Sequence, residues 1–292
     1  MKSGFVSIIG RPNVGKSTLI NSIVGEKIAI TCDKAGTTRN LIQGIYNDSD
    51  TQIVFIDTPG IHKPINKLGN KMNSSTYNTM KEVDVCLLIM DVTSKLGTGD
   101  KFVFEKLAYV EVPVILVLNK IDKISNEELL VKITEYKDLY NFAEIVPISA
   151  LKHDNVNRLI KVLKNYLTDN VKYFMNDEIT SSSDNFRICE FVREGILNLT
   201  SEEVPYGITC LLNNIEYKED IIDIYVDIIV DRESLKKIII GKNGSKLKEI
   251  GILARKNIEN MLGKQVYLEL YVKTLKNWRS KEKYLNELGF NE

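Results

Sequence analysis

Eight consecutive residues, Gly10-Arg11-Pro12-Asn13-Val14-Gly15-Lys16-Ser17, have the spacing of a phosphate-binding loop. They follow a short apolar run and open a stretch of helical character, the context this loop requires. The two glycines let main-chain N–H groups curl around phosphate oxygens, and the helix N-terminus adds partial positive charge. Lys16 is placed to reach the β- and γ-phosphates and the Ser17 hydroxyl to ligate Mg²⁺, with Thr18 completing the cradle.

Four further short motifs follow in order. Asp57-Thr58-Pro59-Gly60 ends a second apolar run, about where a parallel sheet presents ligands. A carboxylate there can hold Mg²⁺ through water, and the Gly60 N–H can meet the γ-phosphate. Thr37-Thr38-Arg39 lies in a polar stretch before it. A threonine there can complete the Mg²⁺ shell only while the γ-phosphate is present, which makes the loop a switch. Thr38 is preferred to Thr37 for that role. Asn119-Lys120-Ile121-Asp122 follows another buried run. Guanine presents N1–H and the N2 amino group side by side, and the Asp122 carboxylate can accept both, whereas adenine would leave it unpaired. Asn119 is expected at the other edge of the base, with the Lys120 stem along the ring face. Ser149-Ala150-Leu151 supplies the Ala150 N–H for guanine O6. These residues predict GTP and GDP as ligands and Mg²⁺ as cofactor.

One position departs from Ras-type GTPases, which place a glutamine after the Gly60 equivalent to orient the attacking water. Here Ile61 stands there, followed by His62. An aliphatic side chain cannot orient water. Asn13 either helps hold a monovalent cation such as K⁺ near the phosphates or simply stabilises the loop. His62 reads as an exposed switch residue more readily than as a general base. Slow intrinsic hydrolysis, below about 1 per second, is expected.

The elements that must position these residues alternate. Residues 5–9, 52–56, 85–90, 114–118 and 145–148 read as strands, and 16–24, 66–80, 127–140 and 154–167 as helices. Near-continuous apolar character in 85–90 and 114–118 means burial on both faces of a mostly parallel sheet. An α/β doubly wound P-loop GTPase domain over 1–172 follows. Residues 173–185 are polar, serine-rich and aperiodic, and read as a linker. From 186 to 292 the predicted order changes to α-β-β-α-α-β, with helices 186–199, 235–240 and 245–261, strands 208–216, 220–230 and 265–273, and an amphipathic tail helix over 276–290.

Between two of those helices sits Ile240-Gly241-Lys242-Asn243-Gly244, followed by Lys246 and Lys248. A GxxG loop between helices lets a nucleic-acid backbone approach closely, and the element order is that of an α+β type II KH domain. The chain as a whole is neutral, yet residues 232–256 hold eight Lys/Arg against two Asp/Glu. That local excess fits phosphate contacts. Trp278 and Tyr284 on the tail read as packing residues. Four scattered cysteines and two histidines make a zinc site or disulfide framework improbable. Met1-Lys2-Ser3-Gly4 runs straight into a strand, leaving no room for a signal peptide, and no apolar run approaches the roughly 20 residues that span a bilayer. A cytoplasmic location is expected.

The motifs GRPNVGKS, TTR, DTPG, NKID and SAL, the REGIL…EEVPY stretch, IIGKNGSKLKEIG and the tail LKNWRSKEKYLNELGF together resemble the bacterial Era family of GTPases over essentially the whole chain. That resemblance implies action in assembly of the small (30S) ribosomal subunit. It also implies binding of the 3′ end of 16S rRNA by the KH domain, an RNA-competent state favoured by GTP, and some peripheral membrane association. No DNA partner and no obligate oligomer are expected. Two other readings stay open on the residues alone: a second domain that docks mainly on protein or membrane, and an RNA chaperone using nucleotide as a structural ligand.

Overall fold

In the computed structural model, which describes residues 1–34, 36–200 and 204–290, the chain forms two compact units. The Glu202-Glu203 part of the EEVPY stretch lies outside the described residues. The first unit comprises Met1–Ala29, Thr38–Ile65 and Gly69–Ser181; the second comprises Ile30–Thr37, Asn66–Leu68 and Ser182–Glu292.

The first unit is a six-stranded sheet. In chain order its elements are β1 (Lys2–Ile9), α1 (Lys16–Val24), β2 (Ile42–Asn47), β3 (Thr51–Asp57), α2 (Lys67–Thr79, in this unit from Gly69 onward), β4 (Val85–Asp91), α3 (Thr98–Leu107), β5 (Val114–Asn119), α4 (Asn126–Lys137), β6 (Glu144–Ile148) and α5 (Val156–Leu163). The strands lie in the order β2-β3-β1-β4-β5-β6. All neighbours are parallel except β2, which runs antiparallel on the β3 edge. Every residue of β5 and all but the last of β4 are buried, as apolar runs covered on both faces require. Sequence periodicity misses two elements. The mixed run of β2, IQGIYN, shows little alternation, and α3, TGDKFVFEKL, begins on two glycine-flanked residues that read as loop. Residues 173–180 run along the sheet edge: the Ile45 N–H donates to the Ile179 carbonyl at 2.9 Å, and Gln52 Oε1 accepts the amides of Tyr173 and Phe174.

The second unit holds α6 (Asp184–Leu199), β7 (Ile208–Tyr217), β8 (Ile221–Val230), α7 (Glu233–Ile240), α8 (Ser245–Leu262), β9 (Gln265–Thr274) and α9 (Glu282–Glu287). The first six keep the α-β-β-α-α-β order expected from the sequence, with α9 added after them. β8 is central, antiparallel to β7 and parallel to β9. Its alternation places Ile222, Ile224, Val226 and Ile228 in the core against Ile188, Val192 and Ile196 of α6 and Ile250, Ala254 and Ile258 of α8. Ile30, from the short segment preceding Thr38, joins that core. The expected tail helix is mostly absent. A single 3₁₀ turn at Trp278–Ser280 precedes the short α9. The reason is packing: Trp278 is fully buried, donates its indole N–H to the Gly207 carbonyl at 3.2 Å and stacks on Phe290. A continuous helix would not bring both rings to one spot.

Candidate functional site

The phosphate loop connects β1 to α1 at the carboxyl edge of the sheet, where strand order reverses about β1 and ligands gather in such folds. Its backbone has little freedom to vary. Gly10, Asn13 and Gly15 all have positive φ, at 149°, 67° and 100°. A Cβ on Gly15 would fall 2.2 Å from Asn119 Nδ2, so only glycine fits. Val14 is buried and Pro12 packs closely on Gly60, whose own Cβ would lie 2.7 Å from the Pro12 nitrogen. Lys16 is buried at the start of α1, and its ammonium donates to the carbonyls of Gly10 (3.3 Å) and Arg11 (2.9 Å). Burial lowers its pKa to about 8, against the opposing pull of Asp57.

Three oxygens from separate elements converge beneath the loop. Ser17 Oγ donates to Asp57 Oδ2 at 2.6 Å, the Ser17 and Thr38 hydroxyls lie 2.9 Å apart, and Thr38 Oγ1 donates to Asp57 Oδ2 at 3.3 Å. Asp57 is fully buried, and its Oδ1 has no hydrogen-bond partner. Desolvation pushes its carboxyl above the usual range, while Lys16, Ser17 and Thr38 pull it back. A buried carboxylate oxygen with no donor is costly. Such a set fits Mg²⁺, which takes a few protein oxygens and completes its shell with water and phosphate. Among the described residues no group of three or more His, Cys, Asp or Glu is arranged to hold a metal, so an all-carboxylate cage is not the alternative. Thr38 lies in this cluster and Thr37 does not: the Thr37 hydroxyl donates to the Lys34 carbonyl at 2.6 Å. Arg39 is buried beside it. Thr58 is buried with its hydroxyl on the Ile8 carbonyl at 2.8 Å, and the Pro59 carbonyl accepts from Thr76 Oγ1 at 3.3 Å.

The base-recognition residues sit across the sheet edge at the ends of β5 and β6. Asp122 Oδ1 accepts from Ser149 Oγ at 2.5 Å, which aims the carboxylate. Asn119 has contacts that the sequence did not foretell. Its Nδ2 donates to the Val14 carbonyl at 2.8 Å and its Oδ1 accepts the Ala150 N–H at 3.0 Å. It therefore ties phosphate loop to base loop, and the Ala150 donor read as an O6 partner is engaged with it. Lys120, at φ 70°, donates to the Asn13 carbonyl at 2.9 Å and pairs with Asp91 Oδ2 at 2.5 Å. Partial burial pushes the Asp91 carboxyl up, but the Lys120 ammonium and the Thr93 hydroxyl and N–H hold it below the usual carboxylate range. Sequence reasoning missed Asp91; its position at the end of an apolar run was the available signal. Leu151 is exposed.

Ile61 is 1% exposed and packs with Ile9, Leu88, Met90 and Val103, while its N–H donates to the Gly10 carbonyl at 3.1 Å. It cannot touch a water on the phosphate side. His62 Nδ1 bonds the Gly60 carbonyl at 2.8 Å, which curls the ring back over its own turn.

In the second unit the GxxG loop joins α7 to α8. Gly241, Asn243 and Gly244 all have positive φ, at 70°, 51° and 75°. Ile240 is part-buried, packing on the core, while Lys242 and Lys248 are exposed and Lys246 is part-buried. Beside the loop, α8 and β9 line a groove of about 420 Å³ that includes Gly244, Lys248, Gly251, Ile252, Arg255 and Leu270. Ile252 is half exposed there. The far wall comes from β9, which only the parallel β8–β9 pairing brings alongside.

Comparison with known proteins gives a consistent result. A family model described as a 50S ribosome-binding GTPase matches residues 5–120, and a KH-domain model matches 203–279. A crystal structure of a single-substitution variant of Era from Aquifex aeolicus, bound to GDP and AlF4⁻, is 42% identical, with both chains covered completely and a TM-score of 0.96. A structure of Era in complex with MgGDPNP and nucleotides 1506–1542 of 16S ribosomal RNA matches with the same identity, coverage and TM-score.

Proposed function

Since the chain belongs to the Era family of GTPases, we propose that Gly10–Thr18, Thr37–Arg39, Asp57–His62, Asn119–Asp122 and Ser149–Leu151 form its GTP site and that the KH unit binds the 3′ end of 16S rRNA during small-subunit assembly. Lys16 and the main-chain N–H groups of the phosphate loop hold the phosphates. Ser17, Thr38 and Asp57 would hold Mg²⁺, which when bound offsets charge on the β- and γ-phosphates. Asp122, aimed by Ser149, accepts the two guanine N–H donors. Asn119 takes the other edge of the base and the Lys120 stem lies along the ring face, while the same two side chains brace the phosphate loop at Val14 and Asn13. Thr38 serves as the γ-phosphate sensor. Ile240–Gly244, Lys246 and Lys248 take the RNA backbone.

The observation that carries the GTP reading is the convergence of Ser17, Thr38 and Asp57 around an unpartnered buried carboxylate oxygen. For the RNA half, an Era relative alike over the full length was solved with 16S rRNA, which favours RNA over a protein- or membrane-docking role. The match to the ribosome-binding GTPase family covers only residues 5–120, part of the first unit. The functional division we propose is a GTPase domain over 1–172, a linker over 173–185 and an RNA-binding domain over 186–292. No helix among the described residues is long and apolar enough to cross a membrane. We place the activity in the cytoplasm, with any membrane contact peripheral. A K⁺ at Asn13 and a monomeric state complete the reading.

The test is a nucleotide competition. Asp122→Asn should lose guanine nucleotides by a factor of roughly 10² or more and gain xanthine nucleotides, because the amide can donate to the xanthine carbonyl. Unchanged GTP affinity in that variant would remove Asp122 from the site. Binding of a 3′-terminal 16S oligonucleotide, measured alongside, checks the second half.

A further inference from the structure

Arg11 sits inside the phosphate loop, yet its side chain is turned onto α3. Arg11 Nη1 lies 2.7 Å from Asp100 Oδ2, and the carboxylate is 8% exposed. The same oxygen accepts the Gly97 N–H at 2.8 Å, so Asp100 both closes the first turn of α3 and receives the guanidinium. The helix start leaves room for it. A Cβ on Gly99 would fall 2.9 Å from Arg11 Nε, and one on Gly97 would come within 4.0 Å of Nη1. At the main chain, the Arg11 carbonyl accepts the Lys16 ammonium at 2.9 Å. A continuous path therefore runs from Asp100 through the Arg11 side chain and carbonyl to Lys16.

We propose that Arg11 and Asp100 are positioning residues for nucleotide binding, acting on the phosphates through Lys16. The loop has reason to need an outside anchor. Gly10 and Gly15 carry no side chain to fix the loop and have wide conformational freedom, so contacts from outside the loop must hold its shape. Asn119 and Lys120 brace the loop at Val14 and Asn13; Arg11 braces it at the opposite end. An exposed ion pair would contribute little; here the Arg11 side chain is 38% exposed, but the carboxylate is nearly buried and collects two donors. Loss of the anchor leaves the Arg11 carbonyl free to rotate away from Lys16.

The inference rests on Lys16 being a phosphate ligand. It is tested on the full chain by a double-mutant cycle of Arg11→Met and Asp100→Asn, read as dissociation rates of fluorescent GDP and GTP analogues, with melting temperature measured without nucleotide. Each single variant should speed dissociation about three- to tenfold, and the double variant no further, because both remove one device. KM for GTP should rise with kcat nearly constant, and guanine over xanthine preference should not move. Arg11→Lys should restore most of the affinity, since a single nitrogen makes the contact. Gly99→Ala, which crowds the guanidinium without removing a charge, should act in the same direction even if Asp100→Asn folds poorly. Multiplicative single effects, or losses in melting temperature with wild-type nucleotide kinetics, would overturn the proposal. Lys16→Ala is the control: if it leaves GTP affinity intact, the assignment of the phosphate loop fails rather than the role of Arg11.

Discussion

Ile61 and Lys16 show how burial governs chemistry at single positions. A glutamine at position 61 would not restore Ras-type catalysis, because the residue there is 1% exposed among Ile9, Leu88, Met90 and Val103. Ile61→Gln should leave kcat for GTP unchanged within about twofold and cost about 1–3 kcal/mol of stability for the unpaired amide. A rise in turnover would show that the side chain reaches the phosphates. Lys16 gives a pH dependence. Its pKa in the free protein is lowered to about 8 by burial, from 10.5. Bound phosphate favours the ammonium, so GTP affinity should be flat below pH 8 and fall above it by up to about tenfold per unit. Stability of the nucleotide-free protein moves the other way. Between pH 8 and 10.5 the unfolded chain binds more protons at Lys16 than the folded one, so this term of the stability rises with pH and is lost as pH falls through 8. Titration of nucleotide affinity from pH 7 to 9.5 checks the first half; a flat curve would mean that Lys16 keeps its charge throughout.

At the level of elements, the α7–α8 junction separates two glycines that look equivalent in sequence. Gly241 pairs φ 70° with ψ −178°, and a Cβ there would fall 2.7 Å from Lys246 Cβ. A side chain at Gly241 disturbs the turn itself. Gly244 has φ 75° and nothing within 4 Å of its Cβ direction. Gly244→Asp is therefore the clean probe: it costs only the left-handed strain, about 1 kcal/mol, and puts a carboxylate beside the path proposed for the RNA backbone. RNA affinity should drop at least about tenfold while GTP affinity and melting temperature stay near wild type. Retained RNA binding would move the interface elsewhere on this unit. The tail makes the converse point. An amphipathic stretch read as one helix gave way to a 3₁₀ turn and a six-residue helix so that Trp278 could bury against Gly207 and Phe290.

Across the whole molecule, the compact units do not follow the chain. Ile30–Thr37 belongs to the second unit, and its contacts there explain why. Ile30 enters the apolar core. The Thr31 N–H donates to Glu194 Oε1 at 3.0 Å, Lys34 donates to the carbonyls of Leu197 and Thr200 at the end of α6, and Arg193 donates to the Thr37 carbonyl. Arg193 is 1% exposed and is held by Glu190, with Nε to Oε1 at 2.7 Å. Arg193→Ala would strand both the Thr37 carbonyl and the Glu190 carboxylate. We expect a loss of about 2 kcal/mol and amide exchange in 30–37 faster by at least about tenfold. Wild-type protection in that segment would show that the apolar contact of Ile30 suffices.

Much of this was legible from residue order alone. Loop chemistry depends on short-range spacing, so GRPNVGKS, DTPG and NKID identify themselves, and periods of 2 and 3.6 mark most strands and helices. The order α-β-β-α-α-β likewise placed the GxxG loop. Partners distant in sequence were not legible, because their proximity is set by sheet order and by which atoms lose water. Asn119 meets the phosphate loop, Lys120 meets Asp91 and Arg11 meets Asp100. Ile61 was visible as an aliphatic residue in a catalytic place, but its near-complete burial depends on the packing of β1, β4 and α3 around it. The letters name the groups that can do chemistry; the packed sheet selects which of them meet, and it buries Asp57 Oδ1 without a hydrogen bond beside the Ser17 and Thr38 hydroxyls.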